Sequence, residues 1–333
     1  MTPLMSIIIP TANRPQYLPR AVESALTGMA LDEIEVIVVP NGPDISWKQS
    51  LASYATNPSV RILPISTAHA NAARNHGMAH ARGKFIRFLD DDDFLIQPQA
   101  TEQVVQLERS GDEISSGLLL NVDKDLSPLG ALTFPQTHDF VAATCTLSGF
   151  RLNLSKVYLL QTLESCRASW REDVPRAQDL IWLLDLATLR EWKWHRYNHP
   201  VGAWFQHDSD RVSTVKLRHD KPVKAIEAIF HLHKELSATN RLTNERTQAI
   251  ASLLWNYIHW RFPYNVVFWT KVAVETLKLC PESSPDHPIF ESFFLKQLHP
   301  IFAELCLALP RKLTTRLRDI KNNWTGWDYR RTL

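Results

Sequence analysis

The sequence predicts an α/β fold in which a mostly parallel sheet is flanked by helices. Over residues 6–89, short β-branched or aromatic runs alternate with stretches of helical spacing, a pattern typical of right-handed βαβ units. Polar clusters follow three of the runs, at residues 11–14, 41–42 and 90–93. Because ligands of such sheets bind at the carboxyl ends of the strands, we expect these clusters to meet at one edge.

The predicted elements of this sheet follow in regular order. Strands are expected where Ile, Val, Phe and Leu dominate short segments, at residues 6–10, 35–39, 60–65 and 85–89. Helices are expected between them, where apolar or Ala residues recur at helical spacing, at residues 15–26, 47–55 and 69–81.

Beyond residue 216 helical periodicity continues and strand signals are sparse. We therefore expect the chain to divide into an α/β domain, residues 1–215, and a helical C-terminal extension, residues 216–333. Trp255, Trp260 and Trp269 fall in the extension and are expected to lie in its core.

Bulk composition limits the classes of function. The 333 residues are 44% hydrophobic and 22% charged, as in soluble globular proteins. A formal net charge of +2 is too small to indicate nucleic-acid binding. No apolar stretch is long enough to cross a bilayer. The four cysteines lack metal-type spacing and are expected to be reduced and buried. With no signal-peptide pattern, this predicts a cytoplasmic protein.

Four consecutive aspartates, Asp90 to Asp93, follow the predicted strand at residues 85–89. Carboxylates this close repel one another, and burying them without a partner costs several kcal/mol. A hard cation such as Mg²⁺ or Mn²⁺ removes that cost. The run therefore suits a metal–diphosphate complex at a strand end. A solvated acidic turn is the alternative, and the aspartates by themselves leave it open.

Four segments in the same order resemble the family 2 glycosyltransferases of GT-A fold. They read SIIIPTANRP, AARNHG, ARGKFIRFLDDDD and QDLIWLLDLA, at residues 6–15, 72–77, 81–93 and 178–187. The resemblance covers roughly residues 4–215. It implies an inverting transferase that moves a sugar from a nucleotide-diphosphate sugar, most often a UDP-sugar, to a hydroxyl of a glycan or lipid-linked acceptor. Bacterial surface polysaccharide synthesis is the implied setting.

The resemblance also implies how a metal would be held. Asp92 would ligate Mn²⁺ or Mg²⁺, and Asp90 would contact the ribose or the metal shell. Asp91 fills the variable position of the motif and is placed with the donor. Asp93 would either orient its neighbours or face the acceptor, and the sequence does not decide between the two. His207 lies in a late segment that is similar to one whose His joins the metal shell or meets the diphosphate.

Further donor contacts are implied in loops at the strand ends and on the helix at residues 69–81. These residues are Pro10, Thr11, Asn13, Arg14, Asn41, Arg74 and Arg211. Ala12 stands where the family carries an aromatic residue, and Asn41 stands near the place of an Asp that binds uracil. The base of the nucleotide therefore stays open. A solvated helix position is the alternative for Arg74.

Asp179 is the implied general base, which would take the proton of the acceptor hydroxyl as its oxygen attacks the anomeric carbon. Gln178 precedes it where the family usually has Glu. A helix N-cap is the alternative for Asp179, because an apolar helical run follows directly. A second acidic pair, Glu172 and Asp173, is not followed by such a run and ranks behind it.

Two other classes of protein are compatible with parts of this pattern. One is a non-catalytic GT-A-like binding or scaffold protein, against which four adjacent acids argue. The other is a sugar nucleotidyltransferase, against which the lack of a glycine-rich phosphate loop over residues 1–100 argues.

The tail, residues 311–333, interleaves basic residues with Leu, Ile and Trp. Such a helix can make peripheral contact with the inner face of an anionic membrane. Docking on its own protein, with a solvated basic face, is the alternative.

Overall fold

Nine strands form one mixed sheet in the described part of the chain, which in this computed structural model comprises residues 2–146, 149–207 and 222–325. The strands are β1 Met5–Thr11, β2 Ile34–Pro40, β3 Val60–Ile62, β4 Phe85–Phe88, β5 Phe94–Leu95, β6 Ile114–Val122, β7 Pro128–Leu132, β8 Lys156–Leu159 and β9 Trp194–Phe205. Their order is β3-β2-β1-β4-β8-β6-β9-β5, with β7 paired to β6.

The half of the sheet that the sequence predicted is parallel. β1 pairs in parallel with both β2 and β4, and β2 pairs in parallel with β3. The remaining strands run in both directions: β8 is antiparallel to β4 and β6, β5 is antiparallel to β9, and β6 is parallel to β9. The predicted α/β class is confirmed, and the sheet as a whole is mixed.

The helices flank this sheet and continue into the C-terminal part of the chain. They are α1 Leu18–Leu26, α2 Trp47–Ser50, α3 Ala70–His80, α4 Gln99–Ser110, α5 Phe140–Thr144, α6 Leu160–Ser165, α7 Gln178–Leu189, α8 Val223–Ala238, α9 Asn244–Arg261, α10 Val266–Leu279, α11 Phe293–Lys296 and α12 Pro300–Thr325. The helix predicted at residues 47–55 is shorter, because a 3₁₀ turn, Ala52–Tyr54, follows α2.

Alternation along β1 divides the apolar core between the two faces of the sheet. Ile7 and Ile9 pack on one face with α1 and α4, whereas Ile8 packs on the other face with α3 and α7. Gly77 of α3 permits the close approach to β1, since a Cβ there would lie 2.4 Å from Ile8 Cγ2. The helix that carries Arg74 is thereby held against the strand that leads into the first polar loop.

The C-terminal helices share the second of these cores. Leu232 of α8 and Trp255 of α9 lie in the same buried cluster as Trp182 of α7. Arg246 adds ion pairs from α9, with its guanidinium 2.7 Å from Glu191 and 2.8 Å from Asp139. The predicted boundary at residues 215–216 lies outside the described residues, so the division into two domains stays a prediction.

Two expectations about individual side chains are wrong. Trp255 and Trp269 are buried, but Trp260 is largely exposed. Cys145 is buried, whereas Cys306 is exposed, and all four cysteines are free. Among the described helices, none is both long and apolar enough to cross a bilayer.

Candidate active site

The aspartate run begins where β4 leaves the sheet. Asp93 N–H donates to the carbonyl of Asp90 at 3.1 Å, so the run forms a tight turn. The side chain of Asp90 is 45% exposed, whereas Asp91, Asp92 and Asp93 are buried. The turn therefore carries most of its carboxylates into the protein, which excludes the solvated acidic turn.

Three of these carboxylates converge on one point. Asp90, Asp92 and Asp93 each offer an oxygen, and these atoms lie within 4.8 Å of one another. Oxygen ligands of this charge are those that Mg²⁺ and Mn²⁺ prefer. The cluster thus fits a hard divalent cation. It includes the predicted ligand Asp92 together with Asp93, which the sequence did not place among the metal ligands.

His207 lies beside the same cluster. Its Nε2 is 2.9 Å from Asp92 Oδ2, and its ring lies against Tyr17 with 4.6 Å between the ring centroids and 32° between the ring planes. Asp93 Oδ1 accepts the backbone N–H of Phe205 at 2.9 Å. The end of β9 is thus tied to the aspartate turn, which brings together two segments that are more than a hundred residues apart. A metal-ligand role for His207 stays a prediction.

Arg14 supplies the positive charge that faces the turn. Its Nη1 is 2.7 Å from Asp92 Oδ2 and 3.1 Å from Asp91 Oδ1. Thr11 Oγ1 donates to the other oxygen of Asp91 at 2.8 Å. Burial raises the pKa of Asp91 to about 7, against the opposing effect of the Arg14 cation. Both carboxylate oxygens of Asp91 therefore have partners within the protein. Its contact with the donor stays a prediction.

Arg74 joins three of the motifs found in the sequence. Its guanidinium donates to Asp90 Oδ1 at 2.7 Å and to Gln178 Oε1 at 2.8 Å, and it also bonds Asn71 Oδ1 at 2.8 Å. The group lies over the ring of Trp170, 4.6 Å from its centroid. Because Arg74 is buried, a solvated helix position does not describe it.

Asp179 lies in the first turn of α7. The N-cap of that helix is Ala177, in the left-handed region with a φ of 54°, so the cap alternative for Asp179 is wrong. Asp179 Oδ2 accepts the backbone N–H of Asn153 at 3.0 Å. Burial raises the pKa of Asp179, the Arg74 cation lowers it, and the Asp90 charge raises it.

Asp179 and the aspartate turn face one cleft. This cleft has a volume of about 320 Å³ including open solvent, and its lining consists of Arg74, Phe88, Asp90, Asp93, Leu152, Asn153, Leu154, Asp179 and Trp204. A buried carboxylate with a raised pKa that opens onto a candidate metal cluster is an arrangement suited to proton transfer. The structure thus brings together the predicted base and the predicted metal turn.

The remaining predicted donor residues lie at the ends of β1 and β2. Asn41 Nδ2 donates to the carbonyl of Thr11 at 3.0 Å, and so joins the two strand ends. Asn13 has a φ of 58°, and its N–H donates to Asp44 Oδ2 at 2.9 Å. Pro10 pairs with Val39 within the sheet. The three polar clusters therefore meet at one edge of the sheet, as expected. Arg211, the remaining predicted donor residue, lies outside the described residues.

Sequence reasoning missed five lining residues of the cleft: Phe88, Leu152, Asn153, Leu154 and Trp204. Of these, Asn153 holds Asp179 through its backbone N–H. A backbone donor has no residue-type signal, and residues 120–178 carry no motif. Trp204 was visible only as a neighbour of His207.

Comparisons with known proteins identify relatives of the N-terminal part of the chain. Residues 6–135 match the model of glycosyl transferase family 2. Chondroitin synthase of Escherichia coli is 37% identical over 101 residues, which cover 30% of this chain and 14% of that protein. EpsH of Bacillus subtilis (strain 168) is 33% identical over 113 residues, which cover 34% of this chain and 32% of EpsH. The match thus spans about a third or less of these relatives.

The fold has a solved counterpart. S. aureus TarS 1-349 in complex with UDP-GlcNAc aligns with a TM-score of 0.65 and 17% identity, over 82% of this chain and 79% of that chain. A TarS structure with UDP aligns over 98% of this chain at 15% identity, again with a TM-score of 0.65.

The alignment with TarS confirms the predicted GT-A fold. The match of residues 6–135 to the model of glycosyl transferase family 2 agrees with the family predicted from the motifs.

Proposed function

We propose that the protein is an inverting, metal-dependent glycosyltransferase that moves a sugar from a UDP-sugar to a hydroxyl of a glycan or lipid-linked acceptor. The observation that carries this proposal is the cleft in which Asp179 faces Asp90 and Asp93. The family match supports the reaction class, and the UDP-GlcNAc bound by TarS supports the nucleotide of the donor. Chondroitin and hyaluronan synthases among the relatives support polysaccharide synthesis as the setting.

Each part of the cleft has a separate task. Asp90, Asp92 and Asp93 would hold Mn²⁺ or Mg²⁺, which supplies Lewis-acid stabilisation of the leaving diphosphate. Arg74, fixed between Asp90 and Gln178, presents a cation to the donor. Asp179 takes the proton of the attacking hydroxyl, because its raised pKa makes it a stronger base than an ordinary Asp.

The products distinguish this function from nucleotide transfer. Purified protein is incubated with a panel of sugar nucleotides and Mn²⁺, and the released species are measured. We expect free UDP from at least one UDP-sugar, lost on addition of EDTA, with no pyrophosphate. Pyrophosphate as the product would instead identify a nucleotidyltransferase, and binding without turnover of any donor, with every acceptor tried, would favour a scaffold protein.

The Arg74 cation sets the pH dependence of this reaction. Asp179 acts in its ionised form, so kcat falls as the pH drops through its raised pKa. Arg74 opposes that rise, and Arg74→Met is therefore expected to move the acidic limb of the pH–kcat profile to higher pH. Arg171→Met is the matched control, because Arg171 pairs with Asp173 and Asp185 outside the cleft. An acidic limb that is the same in both variants would rule out this coupling.

The proposed location is the cytoplasm, with peripheral contact at the inner face of a membrane. The composition of the tail, residues 311–333, supports the contact, since its basic residues alternate with Leu, Ile and Trp. A lipid-linked acceptor would be reached from that position.

A further inference from the structure

Large apolar side chains of the C-terminal helices face solvent. Phe293 and Phe294 of α11 are 74% and 80% exposed. The docking face comprises the four such residues of α12, each 43% to 66% exposed: Phe302, Leu305, Leu309 and Leu313. Single exposed apolar residues are ordinary on a protein surface, but a contiguous group marks an interaction site.

The four members on α12 form one stripe. At about 100° per residue, Phe302, Leu305, Leu309 and Leu313 fall within an arc of about 80°. Ala303 and Glu304, by contrast, are fully buried against the protein. A surface helix normally turns its apolar side inward. Here the solvent side is apolar too, so this face has no partner within the described chain.

The stripe belongs to a helix that is held firmly in place. Glu304 Oε1 is 2.6 Å from His259 Nδ1, and it also pairs with Arg311, which donates to the carbonyl of His259 at 2.5 Å. The His259 ring contacts Phe290, with 5.5 Å between the centroids, just before α11. The next residue after His259, Trp260, is largely exposed. The end of α9, the segment before α11, and α12 thus meet at one buried residue.

The charge along α12 is mainly positive. Residues 300–325 contain two acids, Glu304 and Asp319, and five basic residues, Arg311, Lys312, Arg316, Arg318 and Lys321. Glu304 is buried and paired, and Lys312 is exposed. An anionic lipid surface complements such a face, because lysines meet headgroup phosphates while Phe and Leu enter the acyl boundary. A two-fold contact between copies would bring the same basic groups together, which disfavours a second copy of the chain.

We propose that the docking face lies on an anionic membrane surface. The inference rests on the membrane contact proposed for the tail. It adds that membrane binding requires the exposed leucines of α12 as well as the basic residues. Such a contact would hold the GT-A domain beside a bilayer.

Vesicle co-sedimentation of the full chain tests this surface. Vesicles of phosphatidylcholine are compared with vesicles that also contain phosphatidylglycerol. We expect sedimentation with the anionic vesicles, weakened by salt. The triple variant Leu305→Gln, Leu309→Gln, Leu313→Gln should lower the affinity at least about tenfold, because three exposed leucines no longer enter the lipid.

A second triple variant controls for general loss of apolar surface. Leu31→Gln, Leu126→Gln and Leu129→Gln change leucines that are 49% to 54% exposed and lie far along the chain from α12. This variant should sediment like the unchanged protein. Circular dichroism and thermal melting establish that both variants fold, which is expected because all six leucines face solvent.

Three results would overturn the proposal. The α12 variant and the unchanged protein could bind vesicles equally, or both triple variants could lose binding equally. Light scattering could instead reveal a dimer that binds no vesicles and becomes monomeric in the α12 variant, which would make a second copy the occupant. UDP release in the absence of vesicles is measured in parallel. Its absence in every variant would reject the transferase and leave the lipid result standing.

Discussion

Asp179→Asn is expected to lower kcat for sugar transfer by about 10²- to 10⁴-fold, the usual contribution of a general base. The amide keeps the shape of the carboxylate, and its oxygen can still accept the N–H of Asn153. It cannot accept a proton from the acceptor hydroxyl. Donor affinity, measured by calorimetry with UDP, should stay within a few-fold because the loss concerns the chemical step.

Asp185→Asn is the matched control for this substitution. Asp185 lies on the same helix, and burial raises its pKa to about 6, but it faces Arg171 and does not line the cleft. Its replacement should leave kcat nearly unchanged. If Asp179→Asn turned over donor as fast as Asp185→Asn, the proton transfer would belong to another group.

Asp92→Asn should reduce kcat/KM by about 10²- to 10³-fold, as expected when charge stabilisation of a leaving diphosphate is weakened. Asp92 is one of the three converging carboxylates, so the affinity for Mn²⁺ in the presence of UDP should fall in parallel. Titration with Mn²⁺ measures that affinity directly. Asp92 Oδ2 also contacts Arg14 and His207, so thermal melting is measured in parallel to separate a loss of metal affinity from a loss of stability.

Asp91→Asn provides the comparison within the same run. Asp91 accepts hydrogen bonds from Thr11 and Arg14, and burial raises its pKa to about 7, so it is less ionised at neutral pH than an ordinary Asp. An amide therefore changes little there, and kcat/KM should stay within about tenfold. Equal losses in Asp91→Asn and Asp92→Asn would argue that all four acids act as one charged unit and would contradict the unequal roles assigned here.

Local pattern was enough to predict the parallel half of the sheet. Strands β1 to β4 are short apolar runs separated by segments in which apolar residues recur at helical spacing. Both patterns are visible in residues that are close together in the sequence. The mixed half of the sheet was not predicted, because the antiparallel pairing of β8 with β4 and β6 joins segments that are distant in the chain. The spacing of apolar residues within a strand does not indicate which other strand it pairs with.

The features of the candidate site likewise fall into those that the sequence predicted and those that depend on the tertiary structure. The sequence by itself determined the motifs, the edge of the sheet at which they meet, and the family, because strand ends of a parallel sheet necessarily share one edge. Only the tertiary structure decided that Asp93 joins Asp90 and Asp92, that Arg74 lies over Trp170, and that a backbone N–H holds Asp179.

The C-terminal helices make the physical reason plain. Periodicity in the sequence predicts that a helix is amphipathic, but it does not state which side another element covers. Trp260 was expected in the core and is exposed, and the leucines of α12 face solvent. Spacing along a chain is a local property, whereas burial and the convergence of charges depend on contacts between residues far apart in the chain, and those exist only in the folded protein.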